Sequence, residues 1–446
     1  MARVDFTNVL GGALGRRATR GGFWFGPTPW VLLAATASWI ICMIRQVPCL
    51  IDWGKAYTAG CYNDITPLYF ARGLSTGQIP YLNSDVEYPV LTGGLMELGR
   101  RLVAFLGGVS APGVTEAQAA TASRMFFGVT ALMLFGFFLL TIWAHLKMSR
   151  PWDALMIAIS PVVMTEALIN WDAMVLAFTS LGLLFWGRRR PWLAGIFIGL
   201  GVAAKLYPVL LLLPLAALCL RTSRWRAYGQ TVAGAALSWI AVNLPVYLAT
   251  PKGWMNFWTF NVDRGADLGS LWYALRLVGI DLGDPSRLEI LALVVGGSAI
   301  GALLLLAPRR PRLSQGVFLL VTLFLIVNKV YSPQYALWLL PLLVLANPRW
   351  PDWTLFTIGE IAYFIAIWAH LAGSFGGEAE GGARIYAAFV FLRIGVQLWL
   401  CGRIVVDMLR PAGDVVRLGG LDDPDGGLLD HAPDAAWLRS LVGRPA

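Results

Sequence analysis

Charge is scarce in this chain. Asp, Glu, Lys and Arg make up 14% of its 446 residues, and histidine occurs only three times. Beside 57% hydrophobic residues and a mean hydropathy of +0.63, so little charge leaves more apolar surface than a water-soluble core could bury. Lipid must act as part of the solvent. His145, His370 and His431 are scattered and do not combine with the five cysteines at zinc-site spacing, so no protein-only metal cage is expected, although a divalent ion assisting a phosphate is not excluded. There is no Gly-x-x-x-x-Gly-Lys loop and no dinucleotide fingerprint set between strand and helix, so no nucleotide cofactor is expected. No cleavable signal is expected either: the first apolar run begins near Pro29 after a basic segment without a clear small-residue cleavage site and reads as a retained signal anchor. The net charge of +9 comes from short Lys and Arg clusters dispersed between apolar runs. That pattern orients a membrane protein and offers no basic face to nucleic acid.

What is present is a series of apolar runs punctuated by Gly, Pro and charge. By the bilayer-span rule they give about twelve helices, at 29–44, 121–146, 152–168, 172–187, 192–204, 207–220, 229–249, 288–307, 314–328, 333–347, 352–373 and 384–408. Those flanking Lys205 and the one starting at Pro333 are shorter than the roughly 17 residues of a full span. Broken helices are tolerated where they pack in protein or line a cavity, so they mark an interior site. With Arg16, Arg17 and Arg20 in the cytoplasm, the clusters Lys147/Arg150, Arg188 to Arg190, Arg221/Arg224/Arg226 and Arg309/Arg310/Arg312 also fall inside. The expected class is an all-α, polytopic integral protein of the plasma membrane with both termini cytoplasmic. Its segments are 1–28, a cytoplasmic N-terminal stretch; 29–408, the transmembrane domain; and 409–446, a Gly-, Asp- and Pro-rich cytoplasmic tail read as disordered. Two long loops, 45–120 and 251–287, and the short link 328–334 lie outside. Segment 88–107 carries Glu97, Arg100 and Arg101 and reads as an amphipathic helix on the outer surface.

The first outer loop holds Asp52, Asp64, Asp85 and Glu87, a concentration of carboxylates in a charge-poor chain. It also holds Cys49 and Cys61, which an oxidising compartment permits to pair, whereas Cys42, Cys219 and Cys401 sit in or at the ends of apolar spans.

From Tyr62 the loop reads YNDITPLYFARGLSTGQIPY, then VEYPVLTGGL. This order, an Asp after the first span, an aromatic helix, a Gly-x-x-x-Tyr turn and a Tyr-Pro pair, resembles glycosyltransferase family 87. The matching residues are Asp64, Tyr69, Gly77 with Tyr81, and Tyr88 with Pro89. GVAAKLYPVLLLLP around Lys205 resembles the family's mid-chain Lys-x-x-Pro segment, and YSPQYALWLLP from Tyr331 its late Ser-Pro loop. Some relatives carry His in that loop, where this chain has Gln334 and Tyr335. The resemblance implies a GT-C-like fold of the actinobacterial type. It also implies transfer of a sugar, mannose by default, from a polyprenyl phosphate to a cell-envelope glycolipid or polysaccharide on the extracytoplasmic face, with inversion.

Such a transfer needs a base for the acceptor hydroxyl and cations for the departing phosphate. Asp64 is the candidate base; Lys205, Arg264 and Lys329 are the candidate phosphate ligands. Glu87, Tyr69, Tyr81, Tyr88, Asn170, Asp172, Gln334 and Tyr335 are candidate substrate contacts. Each has a plainer reading. Asp64 precedes Thr66 and Pro67 and fits a helix N-cap; Asp172 fits one too. Asp52 is a reserve base or a solvated charge. Glu87 suits a salt bridge with an outer-loop Arg such as Arg72, and Arg264 an i, i+3 pair with Asp267. Lys205 could snorkel, yet an ionisable group between broken membrane helices is by default a functional hypothesis. A multi-pass transporter or lipid-linked sugar flippase also fits the helix count, although no half-to-half repeat is visible and the carboxylates cluster outside mid-membrane depth. A non-catalytic envelope-assembly subunit is the third alternative.

Overall fold

Proline and small polar residues set most of the helix starts, and the result is an all-helical chain. The structure is a computed structural model that describes residues 26–376 and 381–442. The expected cytoplasmic stretch with Arg16, Arg17 and Arg20 lies outside the described residues, apart from its last few positions. In order, the helices are α1 (Pro27–Ile51), α2 (Ile65–Ala71), α3 (Val90–Phe105), α4 (Glu116–Leu146), α5 (Ala154–Ala158), α6 (Pro161–Glu166), α7 (Asp172–Gly187), α8 (Pro191–Ala204), α9 (Leu212–Thr222), α10 (Trp225–Ala249), α11 (Pro251–Asp263), α12 (Leu271–Leu277), α13 (Ser286–Leu306), α14 (Leu313–Val327), α15 (Ala336–Ala346), α16 (Trp350–Leu371), α17 (Gly382–Leu409) and α18 (Ala436–Val442). Pro occupies the first turn of α1, α6, α8, α11 and α16, where its missing N–H costs nothing. Thr115 and Gln118 form a reciprocal capping box at the start of α4. Among the described residues six helices, α1, α4, α10, α13, α16 and α17, are long and apolar enough to cross a membrane, and shorter apolar helices pack among them. The chain is a polytopic membrane protein.

Several helix limits differ from the sequence reading, and two of the differences have a visible cause. The first helix runs on through Arg45 to Ile51, so the polar segment begins later than expected. Arg45 does not end the helix because its guanidinium is spent on carbonyls from other segments, those of Gly60, Met164 and Thr165. The expected 152–168 span is two short helices, α5 and α6, separated where the Ser160 hydroxyl accepts from Val162 N (3.3 Å) and Pro161 opens a new turn.

Backbone proximity without large side chains joins α8 to α10. A Cβ at Gly195 would lie 2.1 Å from Thr231 O, and one at Gly199 2.2 Å from Ala235 O. Gly at i and i+4 facing small residues is how membrane helices pack where lipid offers no hydrophobic drive. This packing fixes the end of α8 and with it the position of Lys205. The amphipathic helix α3 buries Thr92, Leu95, Met96 and Val103 while Leu98 and Phe105 stay exposed, and the Thr92 hydroxyl donates to Ala204 O (2.8 Å) at the α8 terminus.

The tail corrects the sequence reading most. Residues 411–442 are folded against the links that carry the Arg clusters, with Asp414, Asp422, Asp423, Val416 and Leu429 buried. Asp414 pairs with Arg312 (2.7 Å), Asp422 with Arg309 (3.0 Å) and Arg310, and Asp434 with Arg221 (2.7 Å). Asp425 accepts from Ser149 Oγ (2.6 Å). A composition poor in apolar residues reads as disorder. The tail is ordered instead by buried arginines on other links, which local composition does not reveal.

Candidate active site

At the end of the bundle away from the tail, the segment after α1 returns to the helices through Asp64. Its backbone N–H donates to Ile169 O (2.7 Å) in the turn before α7. Capping of α2 falls to its neighbour, since Asn63 Oδ1 accepts from Thr66 N (2.8 Å) and Asp64 makes no side-chain cap bond. The Asp64 carboxylate is thereby free to face other groups. Tyr62 OH donates to its Oδ1 (2.9 Å) and Asn170 Nδ2 to its Oδ2 (2.7 Å). Burial pushes this carboxyl above the usual carboxylate range, against the opposing pull of the Asn170 and Tyr62 hydrogen bonds and the Lys205 charge.

Asn170 continues the chain of contacts. Its Nδ2 also donates to Tyr88 OH (2.7 Å), and its Oδ1 accepts from Trp171 N (2.7 Å), which fixes the amide's orientation. Tyr88 turns its ring toward Lys205, whose Nζ stands 5.2 Å from the ring centroid, 5.5 Å from that of Tyr335 and 5.9 Å from that of Trp338. Three aromatic faces around one ammonium form a cation-holding cage. Asp172 closes it, with Oδ1 at 3.5 Å from Lys205 Nζ and accepting from Trp338 Nε1 (2.8 Å). Lys205 sits there because α8 stops at Ala204 and Lys205 takes an extended conformation before the Pro208 turn. Tyr335 stacks on Trp338 (4.0 Å) and Trp338 on Tyr207 (4.4 Å).

Several polar atoms here lack partners. Asp172 Oδ2, Trp171 Nε1 and Gln334 Oε1 are buried with no hydrogen bond. Buried polar atoms are ordinarily paired, so orphans beside a cage of this kind are open to ligand hydroxyls or water.

The structure therefore brings Asp64, Tyr88, Asn170, Asp172, Lys205 and Tyr335 into one contiguous cluster, with Gln334 next to Tyr335. Arg264 stands at its edge, pairing with Asp267 as the i, i+3 spacing suggests and acting electrostatically on both Tyr88 and Tyr335. Other expected contacts fall elsewhere. Tyr81 spends its hydroxyl on Tyr88 O (3.0 Å) and Pro89 O (2.8 Å), bracing the loop. Tyr69 is buried against Phe126 and bonds Ser110 Oγ (2.8 Å). Glu87 takes both arms of Arg72, at 2.7 and 2.9 Å, which is the salt-bridge alternative. Lys329 reaches Val262 O (3.1 Å) and Ser286 Oγ (3.3 Å), so it ties the end of α11 to the start of α13 outside the cluster. Asp52 bonds Gly54 N (2.9 Å) in an exposed turn. Cys49 and Cys61 are disulfide-bonded, with Cα atoms 5.8 Å apart.

Two members were missed from sequence. Tyr62 stands two residues before Asp64, a spacing that could have flagged it, whereas Trp338 was hidden among the apolar residues of α15.

The profile of glycosyltransferase family 87 matches residues 105–328, half of the chain, and the chain belongs to that family. The match holds Asn170, Asp172, Lys205 and Arg264; Asp64 and Tyr88 precede it, and Tyr335 and Trp338 follow it. No match is found among curated proteins. A polytopic, all-helical member of this family is a membrane glycosyltransferase.

Proposed function

We propose that this glycosyltransferase moves a sugar, mannose by default, from a polyprenyl phosphate to a hydroxyl of a cell-envelope glycolipid or polysaccharide at the extracytoplasmic face. The observation that supports this reading is the half-buried Asp64 carboxylate, relieved of capping and linked through Asn170 and Tyr88 to a caged ammonium. The acceptor O–H gives its proton to Asp64 as its oxygen attacks the anomeric carbon. The bond from that carbon to the phosphate oxygen breaks, and the electron pair leaves with the lipid phosphate. Attack opposite the leaving group inverts the centre. A carboxyl held above its usual pKa is a stronger base than an exposed one, provided it is ionised at working pH. Lys205 and Arg264 meet the charge that grows on the phosphate. Tyr88, Asn170, Asp172, Gln334 and Tyr335 supply polar and aromatic contacts for sugar and acceptor.

The test is transfer of radiolabelled mannose from polyprenyl-phosphate mannose to glycolipid acceptors by the purified full chain. Asp64→Asn keeps the shape and the ability to accept hydrogen bonds but is not a base, and should lower kcat by about 10²- to 10⁴-fold with unchanged expression. Full activity in this variant would remove Asp64 as base. No transfer by wild type from any polyprenyl-phosphate sugar would overturn the reading in favour of transport or assembly.

A further inference from the structure

Tyr335 and Gln334 reach the cluster on a segment, residues 327–335, that has little regular structure of its own before its short terminal turn. Its carbonyls are instead held at alternate positions by distant donors. Trp272 Nε1 donates to Val327 O (2.7 Å) and Asp267 N to Lys329 O (2.9 Å). Arg393 Nη1 donates to Tyr331 O (3.1 Å) and Nη2 to Pro333 O (3.4 Å). Asp267 lies in the link that carries Arg264 and Trp272 in the first turn of α12 that follows it, so that link and this segment are tied to each other. Gly269 completes the tie: at φ +80°, a Cβ there would lie 2.1 Å from Tyr331 O.

Among the described residues, Arg393 is the one side chain that holds two carbonyls of this segment. It is fully buried on α17, its guanidinium lies 3.6 Å from the Tyr331 ring centroid, and its Nε donates to Glu360 Oε2 (2.7 Å) on α16. One turn along α17, Gln397 donates to Tyr331 OH (2.6 Å) and to Glu360 Oε1 (2.6 Å). A buried ion pair is a poor source of stability, since well-packed apolar residues usually do as well. Its hydrogen bonds to loop carbonyls are what an apolar pair could not reproduce.

We infer that Arg393, oriented by Glu360 and Gln397, is a positioning residue that sets the path of residues 331–335. Through the Asp267 and Trp272 ties it sets the Arg264 loop as well, so that Tyr335 and Arg264 face Lys205 together. This rests on the reading of Lys205 and Arg264 as the donor-phosphate end of the site.

The experiment pairs two variants of the full chain in detergent, Arg393→Lys and the double variant Glu360→Met/Arg393→Met. The double variant removes both charges and leaves neither orphaned, so its thermal midpoint should stay near that of wild type. Tryptic cleavage after Arg264 and Lys329, mapped by mass spectrometry, should be at least about tenfold faster as the loops open locally. kcat for sugar transfer should fall about a hundredfold, as expected when reacting groups are misplaced by an ångström or so. Arg393→Lys, which keeps the charge on Glu360 but lacks the forked donor, should lie between double variant and wild type on both readouts. If either stable variant keeps wild-type cleavage and wild-type kcat, the pair is structural only and the inference is overturned. Lowered kcat with unchanged cleavage overturns it too. The cleavage readout needs no substrate, so faster cleavage beside a wild type that transfers nothing would overturn the functional reading and leave the positioning role standing.

Discussion

The two ends of the bundle use carboxylates in opposite ways. At the tail end, Asp414, Asp422 and Asp434 are matched by Arg312, Arg309 with Arg310, and Arg221. Most remaining donors of the matching arginines go to backbone carbonyls, as when Arg312 also bonds Leu345 O (2.7 Å) and Ala346 O (2.6 Å), although Arg310 Nε stays buried without a partner. At the Asp64 end, Lys205 is shared electrostatically between Asp64 and Asp172, and Asp172 keeps one oxygen unpartnered. A largely saturated network rigidifies. An unsaturated one holds polar atoms ready for something else, at a cost in stability that function must justify. The difference teaches which carboxylates are spent on the fold and which are left over for the proposed site, and neither class is recognisable from its residue type.

The largest effect should come from breaking the arginine-paired end. Asp414→Ala leaves Arg312 buried without its carboxylate, which should cost about 3–5 kcal/mol, the usual penalty for orphaning one partner of a buried pair. Thermal unfolding of the purified protein in detergent measures it. Asp414→Ala/Arg312→Met should recover much of the loss. If the single variant melts like wild type, the tail is not the clamp that its contacts describe, and the contrast between the two ends disappears.

How much of this contrast was legible in the sequence depends on the range of the interactions. Hydropathy and Pro punctuation located the helices because those signals are local, and the break at Lys205 was visible as two short apolar runs on either side of a charge. Asp64 could be singled out by its order in the loop. Its competing role as a cap was settled only by seeing Asn63 take that bond. Tyr69, Tyr81 and Glu87 looked like ligands for the same local reasons, but their partners, Ser110, the 88–89 carbonyls and Arg72, satisfy them within the protein. The tail was misread because its order comes from arginines 102 to 213 residues away. Glu360, Arg393 and Gln397 lay inside apolar runs and were passed over, although a charge inside a span is itself a signal.

A smaller change should follow from altering the caged cation. Lys205→Met should raise the KM for the lipid donor by about ten- to a hundredfold, the value of one charge-assisted hydrogen bond, and Lys205→Arg should raise it less. Because Asp172 is left buried without its cation, Asp172→Asn/Lys205→Met separates folding from binding. Regained stability with KM still high would place Lys205 at the donor phosphate, and equal KM in wild type and both Lys205 variants would dismiss that role.

The subtlest test changes one hydrogen bond to the proposed base. Protonated Asp64 is unable to take the acceptor's proton, so kcat/KM should fall as pH drops through its pKa, and burial puts that acid limb above the ordinary carboxylate range. Tyr62 OH donates to the ionised form and favours it, which lowers the pKa from where burial alone would hold it. Tyr62→Phe removes that donor while keeping the ring against Trp368 (5.1 Å between centroids). The acid limb should therefore move to higher pH, with the plateau at high pH nearly retained. A pH profile of kcat/KM for the two proteins measures the shift. An unchanged limb would mean that Tyr62 does not tune the base, and a limb moving to lower pH would mean that the titrating group is not Asp64.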